Sequence, residues 1–301
     1  MHYIHIYKKI LKEILDQEKP DIVITTMGRS LDFITTLKDG SIKIGEAHTT
    51  KYHLRSLHLM EERGGIYKWF AKQIRRKQIA NARKLSALVL LTPEDANDWE
   101  GVTKTYVIPN SIQLFPHEAA FLKNKKAITV GRYNDAKGYD LLVNVWKIVH
   151  KKHPDWIIDI YGSGELHDDV CRWIKEANLH DTMIMHEPTN EIMKKYDESS
   201  ICVICSRYEG FSMAIIEAMS CGVSCVSFDC PFGPRNIIKN GEDGILVEHL
   251  NIQALADNIC KLIEDENYRK RLGMQAIKNI SRFSQDNIMV KWTELFTSLT
   301  K

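Results

Sequence analysis

Short apolar runs alternate along the chain with longer segments in which apolar residues recur every three or four positions. The runs are bounded by Gly, Pro, Asn or Asp and predict buried β-strands, whereas the longer segments predict amphipathic helices. This alternation is typical of parallel sheets that helices cover on both faces. In the first half we predict a helix over about 3–18 and strands at 21–26, 42–47, 87–91 and 104–108.

The second half contains more strands than the first. Six strands are expected for a complete doubly wound sheet, whereas the first half has four and opens with a helix. We therefore predict an α/β fold with two Rossmann-like parallel-sheet domains that face a cleft, the first of them incomplete. The domains span 1–115 and 127–285, with a polar linker at 116–126 and a terminal helix at 286–301 that crosses back to the first domain. The second domain's strands are predicted at 127–131, 156–161, 182–185, 201–205, 223–228 and 244–247.

Two carboxylates, Glu209 and Glu217, lie eight positions apart around the turn that follows the strand at 201–205. Ligands bind beyond the carboxyl ends of strands in sheets of this kind. On a helical wheel, residues 213–221 are apolar almost all round, so this helix is expected to be buried with Glu217 facing either solvent or a cleft. The first free amides of the helix favour an anion such as a diphosphate, and a carboxylate one turn later is placed for ribose hydroxyls.

A second loop with phosphate-binding chemistry follows the strand at 127–131. Between Gly131 and Gly138 it contains Arg132 and Lys137. A guanidinium fork and an ammonium can converge on phosphate oxygens from such a loop. Taken alone, the two side chains could equally be an arginine that caps a strand and a solvated lysine.

Residues 206–222, with the sequence SRYEGFSMAIIEAMSCG, resemble the donor-site signature of the retaining glycosyltransferases of family four. Glu209 and Glu217 have its E-x7-E spacing, and residues 130–138, 160–165, 223–229 and 233–244 continue the pattern. The resemblance covers roughly residues 85–285 well and the first 85 only loosely. It implies the GT-B fold and a hexosyltransferase that moves a sugar from a UDP-sugar to an acceptor hydroxyl with retention, in surface polysaccharide or glycolipid synthesis.

The resemblance also implies roles for individual residues. Arg132 and Lys137 would hold the diphosphate and stabilise its departure, Glu209 would bind the sugar, and His48 would reach the sugar from the first domain. The loop at 185–190 would contact the base through main-chain groups. No metal and no cofactor are expected besides the nucleotide sugar as substrate. The predicted donor-binding residues are Gly131, Arg132, Lys137, Gly162, Gly164, His186, Glu187, Glu209, Gly210, Phe211, Ser212, Met213 and Glu217.

Three interpretations compete with these roles. A histidine at a strand end, such as His48, is usually a structural residue, so both readings of it stay open. The turn with Gly162 and Gly164 is not a dinucleotide fingerprint, because His167 occupies the third glycine position. Two carboxylates could also indicate a glycoside hydrolase, but Glu209 and Glu217 lie beside a predicted phosphate site, where binding roles fit better.

The first domain lacks the opening strand and Gly-rich loop of the resembled family. The chain could therefore be a fragment, have lost its start or be naturally reduced. A catalytically impaired donor-binding remnant is one alternative function, and a GT-B nucleotide-sugar epimerase or phosphorylase is another. The combination of the loop at 131–138 with the two carboxylates favours a transferase.

Composition narrows the partners and the compartment. A net charge of +2 is too small to indicate that the protein binds nucleic acid. The seven cysteines fall largely in apolar segments and indicate reduced thiols, hence the cytoplasm. The opening residues do not form a signal peptide, and no apolar run is long enough to span a membrane.

A basic segment at 67–84 carries aromatic residues and predicts a helix. Such a helix can lie peripherally on anionic lipid at the inner face of the membrane. Alternatively it is a solvated face from which Trp69, Phe70 and Ile74 pack inward. The partners that the resemblance implies are a nucleotide sugar and a saccharide or lipid-linked saccharide acceptor.

Overall fold

The structure, a computed structural model, describes residues 2–113, 120 and 122–301. The chain divides into two compact units, one of Met1–Pro109 with Ile288–Lys301 and the other of Asn110–Asn287. Of the linker expected at 116–126, residues 116–119 and 121 lie outside the described residues. Leu122 is buried, and its carbonyl oxygen accepts hydrogen bonds from the guanidinium of Arg269 in the second unit.

The first unit is built on a parallel sheet of four strands among the described residues, in the order β1-β2-β3-β4. Successive side chains of β3 point to opposite faces, as the period of a strand requires. Leu88 and Leu90 pack in a cluster with Trp99, whereas Ala87 and Val89 pack in another. The elements are α1 (His2–Glu18), β1 (Ile22–Thr26), β2 (Ile42–Ala47), α2 (Leu57–Glu62), α3 (Gly65–Ala82), β3 (Ala87–Leu90), α4 (Pro93–Asp98) and β4 (Thr105–Val107).

The second unit contains a six-stranded parallel sheet in the part of the chain that the structure describes, in the order β10-β9-β8-β5-β6-β7. The order reverses at β5, which pairs with β6 on one side and β8 on the other, and such a switch point is where α/β sheets bind ligands. Its elements are β5 (Lys126–Val130), α5 (Tyr139–Lys152), β6 (Ile157–Tyr161), α6 (His167–Glu176), β7 (Met183–His186), α7 (Ile192–Asp197), β8 (Ile201–Ile204), α8 (Met213–Ser220), β9 (Ser224–Phe228), β10 (Ile245–Val247), α9 (Ile252–Glu264) and α10 (Glu266–Ile280).

The last helix, α11 (Gln285–Leu299), belongs to the first unit from Ile288 onward. Its buried side chains Ile288 and Leu295 share an apolar cluster with Ile44 and Val89 of the first sheet. The predicted α/β class and all ten predicted strands are confirmed, each strand end within one residue of the expected position. None of the helices formed by described residues is long and apolar enough to cross a bilayer.

The surface of α3 contradicts the inward packing considered for two aromatic residues of the basic segment. Trp69 and Phe70 are 56% and 46% exposed, and their rings contact each other edge to face with centroids 5.0 Å apart. The alternative in which these two side chains pack inward is therefore wrong. The buried face of the helix instead carries small and polar side chains, among them Ala71 and Gln78.

Candidate functional site

Two loops at the carboxyl ends of β5 and β6 pack directly against each other. The amide of Tyr133 donates to the carbonyl of Ser163 at 2.9 Å. A Cβ atom on Gly162 would lie 2.0 Å from the carbonyl oxygen of Gly131, and one on Gly164 would lie 2.4 Å from that of Tyr133. Only glycine permits this approach, so the two predicted glycines have a steric role in shaping the site.

A pocket of about 300 Å³ opens beside these loops in the second unit. This volume is at the lower end of the range for small-molecule sites. Four members of the predicted donor-binding set line it, namely Gly131, Arg132, Gly162 and Glu217. The other lining residues are Val130, Tyr161, Ser163, Pro188, Thr189 and Ile192.

Glu217 reaches this pocket from α8, whose other side chains are mostly buried. The hydroxyl of Tyr196 donates to Oε2 of Glu217 at 3.1 Å. Burial raises the pKa of Glu217 above its usual value, although the Tyr196 hydrogen bond and the charge of Lys137 partly oppose the shift. The apolar helix thus turns its carboxylate toward the pocket.

Lys137 and Glu209 are brought together although 72 positions separate them. The ammonium of Lys137 lies 2.6 Å from Oε1 of Glu209, and the hydroxyl of Ser206 donates to the same oxygen at 2.7 Å. The Glu209 side chain is only 8% exposed, so the cation and the hydroxyl compensate a buried carboxylate. A Cβ on Gly131 would lie 3.3 Å from Cε of Lys137, which places the lysine stem beside the pocket wall.

The residues around the start of α8 differ in their exposure to solvent. Phe211 is buried, and its ring contacts Phe283 with centroids 5.4 Å apart, whereas Met213 is exposed. Ser212 is the N-cap residue, and its buried hydroxyl has no hydrogen-bond partner among the described residues. Gly210 is partly exposed in the loop. The first main-chain amides of a helix have no intrahelical acceptor, and the predicted role of this segment depends on that property.

The loop after β7 is held by His186. Its Nε2 lies 2.8 Å from Oδ1 of the buried Asp159, and its ring stacks on Tyr161 with centroids 4.5 Å apart. Its carbonyl oxygen accepts from the amide of Gly162 at 3.3 Å. Glu187 is exposed, and the next residue, Pro188, lines the pocket. The His186 side chain therefore anchors the loop.

His48 belongs to the first unit and is not among the residues that line this pocket. Its side chain is 50% exposed, and Nε2 lies 3.4 Å from Oε1 of Glu46. Within the second unit, four of the predicted residues line the pocket, and Lys137 lies beside its wall, paired with Glu209.

Sequence reasoning missed the two hydroxyls that hold the carboxylates. Ser206 lies in the loop after β8, three positions before Glu209, so its position offered a signal. Tyr196 lies 21 positions before Glu217, on another helix, and no local spacing points to it. The lining residues Thr189 and Ile192 belong to the loop after β7 and the start of α7. They lie at the pocket because β7 is next to β6 in the sheet, and this order cannot be seen in the local sequence.

Parallel sheets in two units, with a pocket at the switch point of the second sheet, are typical of α/β proteins that bind ligands at this place. Residues 111–279 match the model of the family "Glycosyl transferases group 1". Because this match covers more than half of the chain, the protein belongs to that family.

Individual relatives support this membership. A poly(ribitol-phosphate) alpha-N-acetylglucosaminyltransferase of Staphylococcus aureus (strain COL) is 30% identical over 224 residues, which are 73% of this chain and 45% of that protein. The amylovoran biosynthesis glycosyltransferase AmsD of Erwinia amylovora is 28% identical over 237 residues, 75% and 66% of the two chains. The chain thus spans about half the length of the curated relatives it matches.

Solved structures establish the fold. The crystal structure of TarM superposes with a TM-score of 0.82 and 26% identity, covering 95% of this chain and 57% of TarM. A sucrose-phosphate synthase from Thermosynechococcus elongatus superposes with a TM-score of 0.81 at 19% identity, covering 98% and 77% of the two chains, and at that identity the likeness concerns the fold alone. The fold is GT-B.

Proposed function

We propose that this protein transfers a sugar from a UDP-sugar to a hydroxyl of a saccharide or lipid-linked saccharide acceptor, with retention at the anomeric carbon. The reaction would serve the synthesis of a surface polysaccharide or glycolipid. The observation that carries the proposal is a pocket at the switch point of a GT-B sheet that Arg132 and Glu217 line, with the Lys137–Glu209 pair next to the lining residue Gly131.

Each part of the donor has a partner in this arrangement. Glu217, on the wall beside the loop after β7, would bind the ribose hydroxyls. Arg132, Lys137 and the first amides of α8 would bind the diphosphate, which gains negative charge as the sugar leaves. Glu209, held by Lys137 and Ser206, would accept hydrogen bonds from the sugar hydroxyls.

The expected base, the stereochemistry and the independence from metal rest on the resemblance to the retaining enzymes of family four. A crystal structure of an S. aureus TarM mutant contains alpha-GlcNAc-glycerol and UDP, and TarM is 25% identical to this chain in that comparison. This supports UDP as the first nucleotide to test. In the proposed metal-independent reaction, Arg132 and Lys137 would stabilise the charge of the departing diphosphate.

Relatives whose names refer to poly(ribitol-phosphate) and amylovoran support a polymer or saccharide acceptor for the first tests. Membership of a glycosyltransferase family favours transfer over the epimerase and phosphorylase alternatives. A donor-binding remnant is the remaining alternative, and it differs from the transferase by forming no product.

The experiment is incubation of the purified chain with UDP-GlcNAc, UDP-glucose or UDP-galactose and a panel of polyol-phosphate and saccharide acceptors. Mass spectrometry should detect an acceptor enlarged by one hexose or N-acetylhexosamine, and proton NMR should show an α-linkage from the α-linked donor. Excess EDTA should leave the rate unchanged. Saturable UDP binding without product from any acceptor would instead support the remnant.

We further propose that α3 contacts the inner face of the membrane peripherally from the cytoplasm. Its exposed Ile66, Tyr67, Trp69 and Phe70 range from 46% to 64% exposed. Lysines at 68 and 72 are exposed on the same helix, and this combination suits an anionic interface. Co-sedimentation with phosphatidylglycerol vesicles, but not with phosphatidylcholine vesicles, is expected. Replacement of Trp69 and Phe70 by Ser should abolish it, and retained binding would contradict the contact.

A further inference from the structure

Tyr196 is a fully buried tyrosine near the end of α7, and its hydroxyl group, which can donate one hydrogen bond, donates to a carboxylate. Its hydroxyl donates to Oε2 of Glu217 at 3.1 Å. Burial, together with the neighbouring carboxylate, raises the pKa of Tyr196 well above its ordinary value. The hydroxyl therefore keeps its proton and remains a donor at physiological pH.

This hydrogen bond involves only one of the two carboxylate oxygens of Glu217. Oε1 of Glu217 accepts no hydrogen bond from the side chains and amides that the structure describes, and Glu217 lines the pocket. The segment that carries Tyr196 also supplies Pro188, Thr189 and Ile192 to the pocket wall. The same segment thus lines part of the pocket and donates a hydrogen bond to the carboxylate of Glu217.

We propose that Tyr196 is a positioning residue that orients Glu217 toward the ribose hydroxyls and thereby sets the preference for a ribonucleotide donor. The inference rests on the proposed function, because it concerns how the nucleotide is held. An unrestrained glutamate must lose rotamer freedom when it binds a diol, whereas a glutamate held by a charge-assisted hydrogen bond has lost it already.

A purely structural hydrogen bond predicts something different. It would contribute to the stability of the second unit and would affect all nucleotides equally. A positioning role affects only ligands that carry the ribose hydroxyls. The comparison of UDP with 2′,3′-dideoxy-UDP therefore separates the two roles.

The test is calorimetric titration of wild type and Tyr196→Phe with UDP and with 2′,3′-dideoxy-UDP. We expect wild type to prefer UDP and Tyr196→Phe to bind UDP about ten-fold more weakly, the usual effect of losing a hydrogen bond to a charged group. Binding of the dideoxy analogue should hardly change. In turnover assays KM for the UDP-sugar should rise while kcat at saturating donor stays the same, because the bond acts alike in the ground and transition states.

Tyr133→Phe is the matched control. Tyr133 is also a buried tyrosine of the second unit, but its hydroxyl lies 3.3 Å from the carbonyl oxygen of Ile160 and 3.4 Å from that of His186. Its removal should leave the ratio of UDP to dideoxy-UDP affinity at the wild-type value.

The outcomes separate the two claims. A folded Tyr196→Phe variant that keeps the wild-type ratio overturns the positioning role and leaves the proposed function standing. A wild-type chain that binds no UDP overturns the proposed function, and the inference with it.

If Tyr196→Phe does not fold, Glu217→Asp replaces it, since the shorter side chain keeps the charge but withdraws it from Tyr196. Retention of the UDP preference in that variant would equally overturn the inference.

Discussion

Glu209 and Glu217 have the same side chain but different surroundings. Glu209 is paired with the ammonium of Lys137, so its negative charge is compensated within the fold. Glu217 is held by the neutral hydroxyl of Tyr196, and burial raises its pKa. Two carboxylates eight positions apart in the sequence therefore have different environments, which suit the different tasks proposed for them.

Substitution by glutamine should separate these tasks. Glu217→Gln keeps the shape and removes a partly buried charge, so we expect nucleotide affinity to fall by about 1.5 to 3 kcal/mol with little loss of stability. Glu209→Gln should lower kcat while leaving the affinity for bare UDP nearly unchanged. Calorimetry and initial rates on both variants provide the measurement. Equal losses of UDP affinity in the two variants would contradict the division of roles.

Asp95, in the first unit, offers a prediction about pH. Burial raises its pKa from 3.8 to about 6, while its Oδ1 accepts from the amide of Lys51 at 3.0 Å. The folded chain thus holds a proton on Asp95 more tightly than the unfolded chain does. Ionisation of Asp95 therefore costs stability above about pH 6, and the cost fades as the pH falls toward 3.8.

Asp95→Asn keeps an acceptor for Lys51 and removes the buried charge. We expect the variant to exceed wild type in free energy of unfolding by about 2 kcal/mol at pH 8, and the difference to shrink toward pH 4. Urea unfolding followed by tryptophan fluorescence is suitable, because Trp99 is fully buried in this unit. A difference that does not depend on pH would show that the Asp95 charge is not the cause.

Among the secondary-structure elements, the loops at the ends of β5 and β6 contribute most to the site. They are fixed to each other by main-chain hydrogen bonds and by glycines that permit backbone contact. The backbone of these loops, including that of Arg132, is therefore held in place before any ligand binds. Such preorganisation reduces the ordering cost of binding.

Gly162→Ala tests the contact between these loops. Its Cβ would lie 2.0 Å from the carbonyl oxygen of Gly131, so the loops must separate. We expect a loss of about 3 kcal/mol in stability, as for overpacking elsewhere, together with weaker UDP binding. Gly28→Ala is the control, because its Cβ would meet only Thr26 Oγ1, at 3.5 Å. Thermal unfolding and calorimetry should show lower stability and weaker UDP binding in Gly162→Ala but not in Gly28→Ala. A stable Gly162→Ala variant with unchanged UDP affinity would refute the steric role of Gly162.

In the molecule as a whole, strand positions could be predicted because period and composition are local properties. β3 illustrates this, since an apolar run between polar turns becomes a strand buried on both faces. Sheet order is not local, so the neighbours β5 and β8 and the pairing of Lys137 with Glu209 needed the structure or a resemblance. Tyr196 shows the limit most clearly, because nothing near it in the sequence indicates its carboxylate partner. The surface of α3 was ambiguous because Trp69 and Phe70 lie within a helical spacing that suits either core or surface.

The central claim is that the pocket of the second unit binds the donor's nucleoside diphosphate. Its most direct test is calorimetric titration of UDP into wild type, Arg132→Ala and Lys137→Ala, with Lys152→Ala as a control whose lysine pairs with Asp257 on the surface. We predict saturable binding to wild type and to the control, and affinity lower by about 1.5 to 3 kcal/mol in the other two variants. Absence of UDP binding to wild type, or unchanged affinity in both Arg132→Ala and Lys137→Ala, would contradict the claim.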